Sequence, residues 1–525
     1  MTAHPWLAAP IVAVCLLTVL GGMYGLRLSR TTSDFYVAGR AVGPWVNASA
    51  IGGEYISAAS FLGVAGLVYL GGIDMLWFPV GYTLGYVVLL ALVAAPLRRS
   101  GAYTASDFAE SRLDDRGVRS VSTLLTVLIG WLYLLPQLYG AGLAVRSLTG
   151  APAWVGAALV CLVVTLNVAA GGMRSVTLVQ AVQYWFKLVA IAVPALVLLL
   201  WWLTHGHPTP RLDLALAADP VDAPTRIYTT VSALVALCFG TMGLPHVIVR
   251  FYTNPDGPAA RRTTVAVIAL LGAFYVFPPF YALLARVYLP HLPTGMAADT
   301  VVFALPVVMT QASSGLLLGD ALLALLAAGA FAAFLSTASG LAVAVAGALD
   351  QDVVRPLLHR WSRGDSDGVS SFRISGLLAM VVPTLLTPLV GALGLATTVT
   401  LAFAVAASTF CPLLVLGVWW RGLSVVGARA GMICGGLLSL GAAAITVSRV
   451  TPSGWVQTLA ANPAAWSVPT AFAVTILVSL ATPAAVSASA LVTMARLHTP
   501  EGLLSGREHL PAGRSRRAAD TSGDH

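Results

Sequence analysis

The chain has 525 residues, 58% hydrophobic and only 10% charged, with a mean hydropathy of +0.85 and a formal net charge of +8. This composition excludes a soluble globular protein and places the chain in a lipid bilayer. Its basic residues are spread over separate short loops, which excludes a nucleic-acid-binding surface.

Apolar runs of about 20 residues, each long enough to cross a hydrocarbon core of ~30 Å, recur along the chain. They give thirteen expected spans: 6–26, 44–66, 73–96, 118–145, 153–170, 175–203, 227–249, 263–289, 318–348, 373–392, 395–418, 426–448 and 464–493. Arg27, Arg30 and Arg40 follow the first run and no Lys or Arg precedes it. That is the flank order of an inserted helix with an outer N-terminus, not of a cleaved signal peptide. Alternating from there puts every arginine on the inner side except Arg146, Arg211, Arg226, Arg286 and Arg449. The expected product is a multi-pass protein of the cell membrane with a cytoplasmic C-terminus. Two connections are long enough for local structure, 97–117 inside and a proline-rich outer loop at 204–226, and the tail at 496–525 reads as disordered.

Cys15, Cys161, Cys238, Cys411 and Cys434 lie in apolar runs without metal-ligand spacing and read as small fillers. A P-loop is missing and Lys187 is the one lysine, which argues against ATP-driven pumping. Neither a catalytic motif of an enzyme nor the charge rings and filter loops of a channel are found.

Two segments break the apolar pattern. Asn47–Gly63 carries Gly52, Gly53 and Glu54, and Gly329–Gly340 carries the adjacent hydroxyls Ser336 and Thr337. Glycines and an acid at membrane depth belong where a helix is broken and its backbone lines a polar site. Gly52–Gly53 is the expected point of unwinding. Ser336 and Thr337 point about 100° apart and converge on one ion only in a helix groove. The alternative is that they bond their own helix or join neighbours. A cation site closed between two distant segments is the architecture of a secondary transporter.

Five stretches carry a family resemblance: DFYVAGR (34–40), GEYISAASFLG (53–63), GGMRSVTLVQAVQ (171–183), FGTMGLPHVIVRFYT (239–253) and AFLSTASGLAVAVAGALDQDV (333–353). In order and spacing they resemble the sodium:solute symporter family, and within it the cation/acetate (monocarboxylate) branch. The resemblance implies an all-α polytopic protein with a ten-helix core of two inverted five-helix repeats of the leucine-transporter type. The repeats would cover 44–203 (spans 2–6) and 227–420 (spans 7–11). Residues 1–43 would form a first helix and inner loop, and 421–495 two peripheral helices. It also implies sodium held by carbonyls of Gly53, Ile56 and Ala333 and hydroxyls of Ser336 and Thr337. Members of the sugar and proline branches carry an acid where this chain has Gln180, and relatives tend to have Asp where it has Glu54.

The implied activity is sodium-coupled import of acetate, propionate or pyruvate by alternating access, with sodium and a small carboxylate as the partners of the protein besides lipid. Protons as the coupling ion, another solute (amino acid, urea, pantothenate) and a transporter-like sensor are the alternatives. A short carboxylate needs donors, which half-helix N-termini supply. Candidates are Gly52, Glu54 and Tyr55, Gln137 near Pro136, and Gly240, Thr241 and His246, where Gly240, Gly243 and Pro245 mark a second break. Trp131, Tyr133 and Tyr139 stand near Pro136 and serve packing equally well. Glu54 is expected to tune the site, relay a proton or pair locally. Gln180 and Lys187 are assigned to gating or ion exit, with Lys187 snorkelling towards the inner interface. His246 is expected to be either a cation near the substrate or a neutral, hydrogen-bonded helix residue.

Overall fold

The computed structural model describes residues 5–26, 38–206, 208–209, 223–293, 295–311, 316–361, 368–389, 394–448 and 454–500. Every regular element among them is helical. Without water to satisfy N–H and C=O groups, a spanning segment must bond its backbone internally, and a helix does so within one segment.

The first part of the chain forms α1 (Ala8–Leu26), α2 (Pro44–Tyr55), α3 (Val64–Gly71), α4 (Trp77–Leu92), α5 (Ala94–Ser100), α6 (Ala105–Leu113), α7 (Arg116–Thr149) and α8 (Ala153–Thr204). The middle forms α9 (Ala223–Gly243), α10 (Pro245–Tyr252), α11 (Gly257–Tyr275), α12 (Phe277–Tyr288), α13 (Val301–Gln311), α14 (Leu316–Leu349) and α15 (Arg355–Trp361). The remainder forms α16 (Gly368–Leu386), α17 (Leu395–Trp419), α18 (Val425–Ser448), α19 (Trp455–Ala461), α20 (Ala464–Ala481) and α21 (Ala490–His498).

Eleven helical stretches among the described residues are long and apolar enough to cross a membrane. Two of them hold parts of more than one expected span. α8 turns at Gly172, whose φ of 54° and ψ of −148° suit only glycine, and so contains the runs 153–170 and 175–203 as two arms. The stretch Ala59–Leu92 joins the end of the second expected span to the third. The last expected span, 464–493, is corrected: α20 ends at Ala481, Pro483 opens a 3₁₀ turn, and α21 follows as a separate short helix. The expected disordered tail therefore begins later, since Arg496–His498 are helical and Arg99 donates to the Leu497 carbonyl at 3.3 Å. Most of the outer loop and the tail beyond Pro500 lie outside the described residues.

The core consists of two five-span units, α2 to α8 and α9 to α17. Each opens with a broken span. The first breaks at Ile56 (φ −72°, ψ 90°) between α2 and a π-helical turn at Ala59–Gly63, and the second at Leu244 (φ −74°, ψ 121°) between α9 and α10. The opening spans of the two units run in opposite directions, so the units are inverted: the Val42 N–H that precedes α2 bonds the Thr253 carbonyl that follows α10. The loops expected inside meet at one end of the bundle. There Arg40 donates to the Gly101 carbonyl at 2.6 Å, Arg112 to that of Gly417 at 2.7 Å, and Arg119 pairs with Glu110 and Asp352, both at 2.5 Å. At the other end Arg226 meets Asp74 at 2.9 Å, and Asp299 accepts the Leu395 N–H at 3.1 Å, at the start of α17.

Candidate functional site

Close helix approach builds the site. α2 packs on the second arm of α8 and on α14, and two glycines permit it: a Cβ on Gly53 would collide with the Gln180 carbonyl, and one on Gly340 with the Glu54 carboxyl. Gly52 likewise faces the Tyr184 ring. The expectation that Gly52–Gly53 unwinds the span is thus corrected. Both remain helical, and the chain leaves the helix three residues later, at Ile56. Their small size serves packing, while the break opens the carbonyls that follow. The N–H donors expected at Gly52–Tyr55 are accordingly spent inside α2, and those of the outer half begin after Ile56.

Three clusters surround the break. In the first, the residues expected to hold sodium come together. The Ser336 hydroxyl lies 2.7 Å from the Gly53 carbonyl and 3.1 Å from that of Ala333. The Thr337 hydroxyl donates to the Glu54 carbonyl at 2.6 Å and lies 3.5 Å from that of Ile56. Among these oxygens sits the Lys187 ammonium, which donates to the Gly53 carbonyl, to the Ile56 carbonyl at 3.0 Å and to the Ser336 hydroxyl at 2.7 Å. An ammonium has three donors, and all three are satisfied. Lys187 is 0% exposed, so the expected snorkelling is corrected: three oxygens replace the water it would otherwise reach.

The second cluster is an ion pair that links the two units. Arg250 on α10 donates from Nε to Glu54 Oε2 at 2.5 Å, from Nη1 to the Thr177 hydroxyl at 2.6 Å, and from Nη2 to Gln180 Oε1. Gln180 in turn donates from Nε2 to the Ser336 carbonyl at 2.6 Å. An amide suits this place because it accepts from a guanidinium and donates to a carbonyl, whereas a carboxylate only accepts. Glu54 therefore pairs locally, the third of its expected roles. Arg250 was read as an inner-loop charge and is instead fully buried. A signal was present: Pro245 opens a new helix, and five residues on an arginine still lies at the depth of Glu54.

The third cluster is an aromatic chamber. Tyr55 bonds the Thr241 hydroxyl at 2.8 Å, and its ring lies 4.9 Å from Tyr86 and 6.0 Å from Phe403. Tyr133 stands 5.6 Å from Phe403 and 5.2 Å from the His246 imidazole. Both His246 nitrogens and the hydroxyls of Tyr82 and Tyr86 are buried without a hydrogen-bond partner. The hydrogen-bonded, structural role for His246 is thereby corrected. Gln137 accepts the Ala58 N–H at 2.9 Å and so braces the break, and Gly240 packs against the Phe403 backbone. Neither of these two presents a free group to the chamber in the way expected of a substrate ligand. Tyr82 and Tyr86 on α4 were missed, because tyrosines on a span without any break read as packing.

Comparisons with known proteins bear on the family and the fold. The model of the sodium:solute symporter family matches residues 35–435. A monocarboxylic acid transporter of Corynebacterium glutamicum is 31% identical over 486 residues, with 85% of this chain and 86% of that protein covered. A Bacillus subtilis (strain 168) protein named uncharacterized symporter YwcA is 30% identical over 450 residues, with the same coverage of 85% and 86%. Among solved structures, the substrate-bound, outward-open state of a Na⁺-coupled sialic acid symporter superposes with a TM-score of 0.67 at 15% identity, covering 90% of this chain and 97% of that one. With its broken opening spans, inverted units and matched length, this chain belongs to the sodium:solute symporter family.

Proposed function

We propose that the protein is a secondary symporter that imports short-chain monocarboxylates such as acetate, propionate or pyruvate, coupled to sodium by alternating access. The observation that carries the substrate class is the set of unpartnered groups at the break: two His246 nitrogens and the hydroxyls of Tyr82 and Tyr86, buried inside an aromatic chamber. Buried polar groups without partners, here two tyrosine hydroxyls and the one N–H and one acceptor nitrogen of a neutral imidazole, cost about 1–3 kcal/mol each, so they are retained where a ligand completes them. A small carboxylate supplies two acceptor oxygens, and its short apolar tail suits the rings. The buried charges favour an anion as well, since Glu54, paired with Arg250, leaves the buried Lys187 ammonium without a carboxylate partner among the described residues.

The coupling cation binds between Gly53, Ile56, Ala333, Ser336 and Thr337, bridging α2 and α14 and so favouring one arrangement of the two. Substrate then closes the chamber, and rocking of the helix groups delivers both to the arginine-rich end, which faces the cytoplasm. A sodium ion carried with one monocarboxylate anion moves no net charge, so the sodium concentration gradient drives that step, and each further sodium ion carried adds about 2.3 kcal/mol per 100 mV. Uptake of radiolabelled acetate and pyruvate into proteoliposomes tests this, with a sodium gradient compared against a proton gradient. Sodium-driven uptake that disappears in Ser336→Ala/Thr337→Ala is the expected result. Uptake driven only by protons and indifferent to that double substitution overturns the sodium coupling. Failure to take up either acid overturns the substrate class.

A further inference from the structure

The coupling site already contains a cation that belongs to the chain. Lys187 Nζ takes the Gly53 and Ile56 carbonyls and the Ser336 hydroxyl, three of the oxygens assigned to the transported ion. Two positive charges cannot share these oxygens, because at such separations in a buried site their repulsion outweighs what the shared ligands return. We propose that Lys187 is a tethered competitor of sodium: its ammonium holds α2 against α14 when sodium is absent, and sodium binds only as the ammonium withdraws. The inference rests on the cation-coupling part of the reading above and is independent of the carried solute.

The chemistry of the side chain fits this role. Lysine is a compact point charge on a flexible four-carbon stem, so its head can leave without the helix moving. The neighbouring charges stay occupied meanwhile: Glu54 is committed to Arg250, and Gln180 to Arg250 and the Ser336 carbonyl. Those bonds tie α2, α8, α10 and α14 together whichever cation is present. The ammonium thus gives the ion-free carrier a closed junction with its carbonyls satisfied, the state a symporter must pass through after releasing its cargo. The competition also sets the sodium affinity, since an ion that must displace an occupant binds more weakly by the fraction of time the site is free.

Two measurements test the proposal, neither involving a carboxylate. Because Lys187 is the one lysine in the sequence, an amine-reactive N-hydroxysuccinimide ester reports on it once peptide mass spectrometry separates its peptide from the N-terminal one. In purified wild type, raising sodium chloride at constant ionic strength with choline chloride is expected to speed labelling of Lys187. Labelling that sodium leaves unchanged or slows overturns the proposal. Second, the sodium concentration that half-maximally raises the thermal unfolding temperature is expected to fall by about tenfold or more in Lys187→Met and in Lys187→Gln. Damage to the site would move that midpoint upward instead, and an equal, higher or absent sodium response in these variants overturns the competition. Adding Ser336→Ala/Thr337→Ala to Lys187→Met is expected to abolish the response, and its persistence overturns the assignment to this site.

Discussion

At the scale of residues, Arg250 and Glu54 are the pair on which the junction depends, with side chains 1% and 3% exposed. Breaking one partner of such a pair costs about 3–5 kcal/mol, because the other stays buried and uncompensated. Arg250→Met is therefore expected to lose stability by about that amount, and Glu54→Gln/Arg250→Met to recover part of it. A double-mutant cycle on chemical unfolding in detergent checks this, and additive effects would contradict the coupling. Gly340→Ala pushes a methyl group into the Glu54 carboxyl. The expected outcome is a large loss of uptake while the protein still inserts, read by transport alongside membrane abundance. That Gly53, Ser336 and Thr337 belong to one junction was legible in the sequence, because they stand out as small or hydroxylated residues in apolar surroundings. Lys187 was not, since a lone lysine in a membrane span usually extends its stem to the interface, and only the fold reveals that three oxygens lie closer. Arg250 was hidden by its own count among inner arginines.

At the scale of elements, the two broken spans were legible as glycine- and proline-marked segments, though not to the residue. Proline placed the second break correctly, because Pro245 cannot continue a helix. Glycine misplaced the first, because Gly52 and Gly53 are used for contact with α8 and not for the turn. The outer connection holds a further device. Asp299 sits half-buried in the 3₁₀ turn before α13, against Gly66 and Gly394, and accepts the Leu395 N–H that opens α17. Desolvation by its neighbours raises its carboxyl from the usual 3.8 to about 6, an effect that the Leu395 N–H opposes. The folded protein therefore holds this proton more tightly than the unfolded chain, and stability falls as pH rises from about 3.8 to about 6. Asp299→Asn is expected to remove that slope from the unfolding temperature measured against pH, and an unchanged slope would assign it elsewhere. Tyr139 is a titratable group near enough to feel this charge.

At the scale of the whole molecule, the asymmetry of arginine was informative because the loops that carry it are far apart in sequence and adjacent in space. Arg40, Arg98, Arg112 and Arg119 all reach across to other loops of the same end. If that end is cytoplasmic, a cysteine replacing Arg116 at the start of α7 is expected to react with an impermeant maleimide only in inverted vesicles. A cysteine replacing Thr204 at the end of α8 is expected to react only in intact cells. The opposite pattern would reverse the orientation.

The pairing of Glu54 with Arg250 also has a consequence for biosynthesis. The two are 196 residues apart. At about 5–20 residues per second, Glu54 leaves the ribosome roughly 10–40 s before its partner exists. For that interval the first unit holds an acid at membrane depth, where a lone carboxylate costs about 2.5–3.5 kcal/mol. The first half of the chain is thus incomplete as an inserted unit until the second half arrives, and a ribosome stalled in between leaves a fragment marked for quality control.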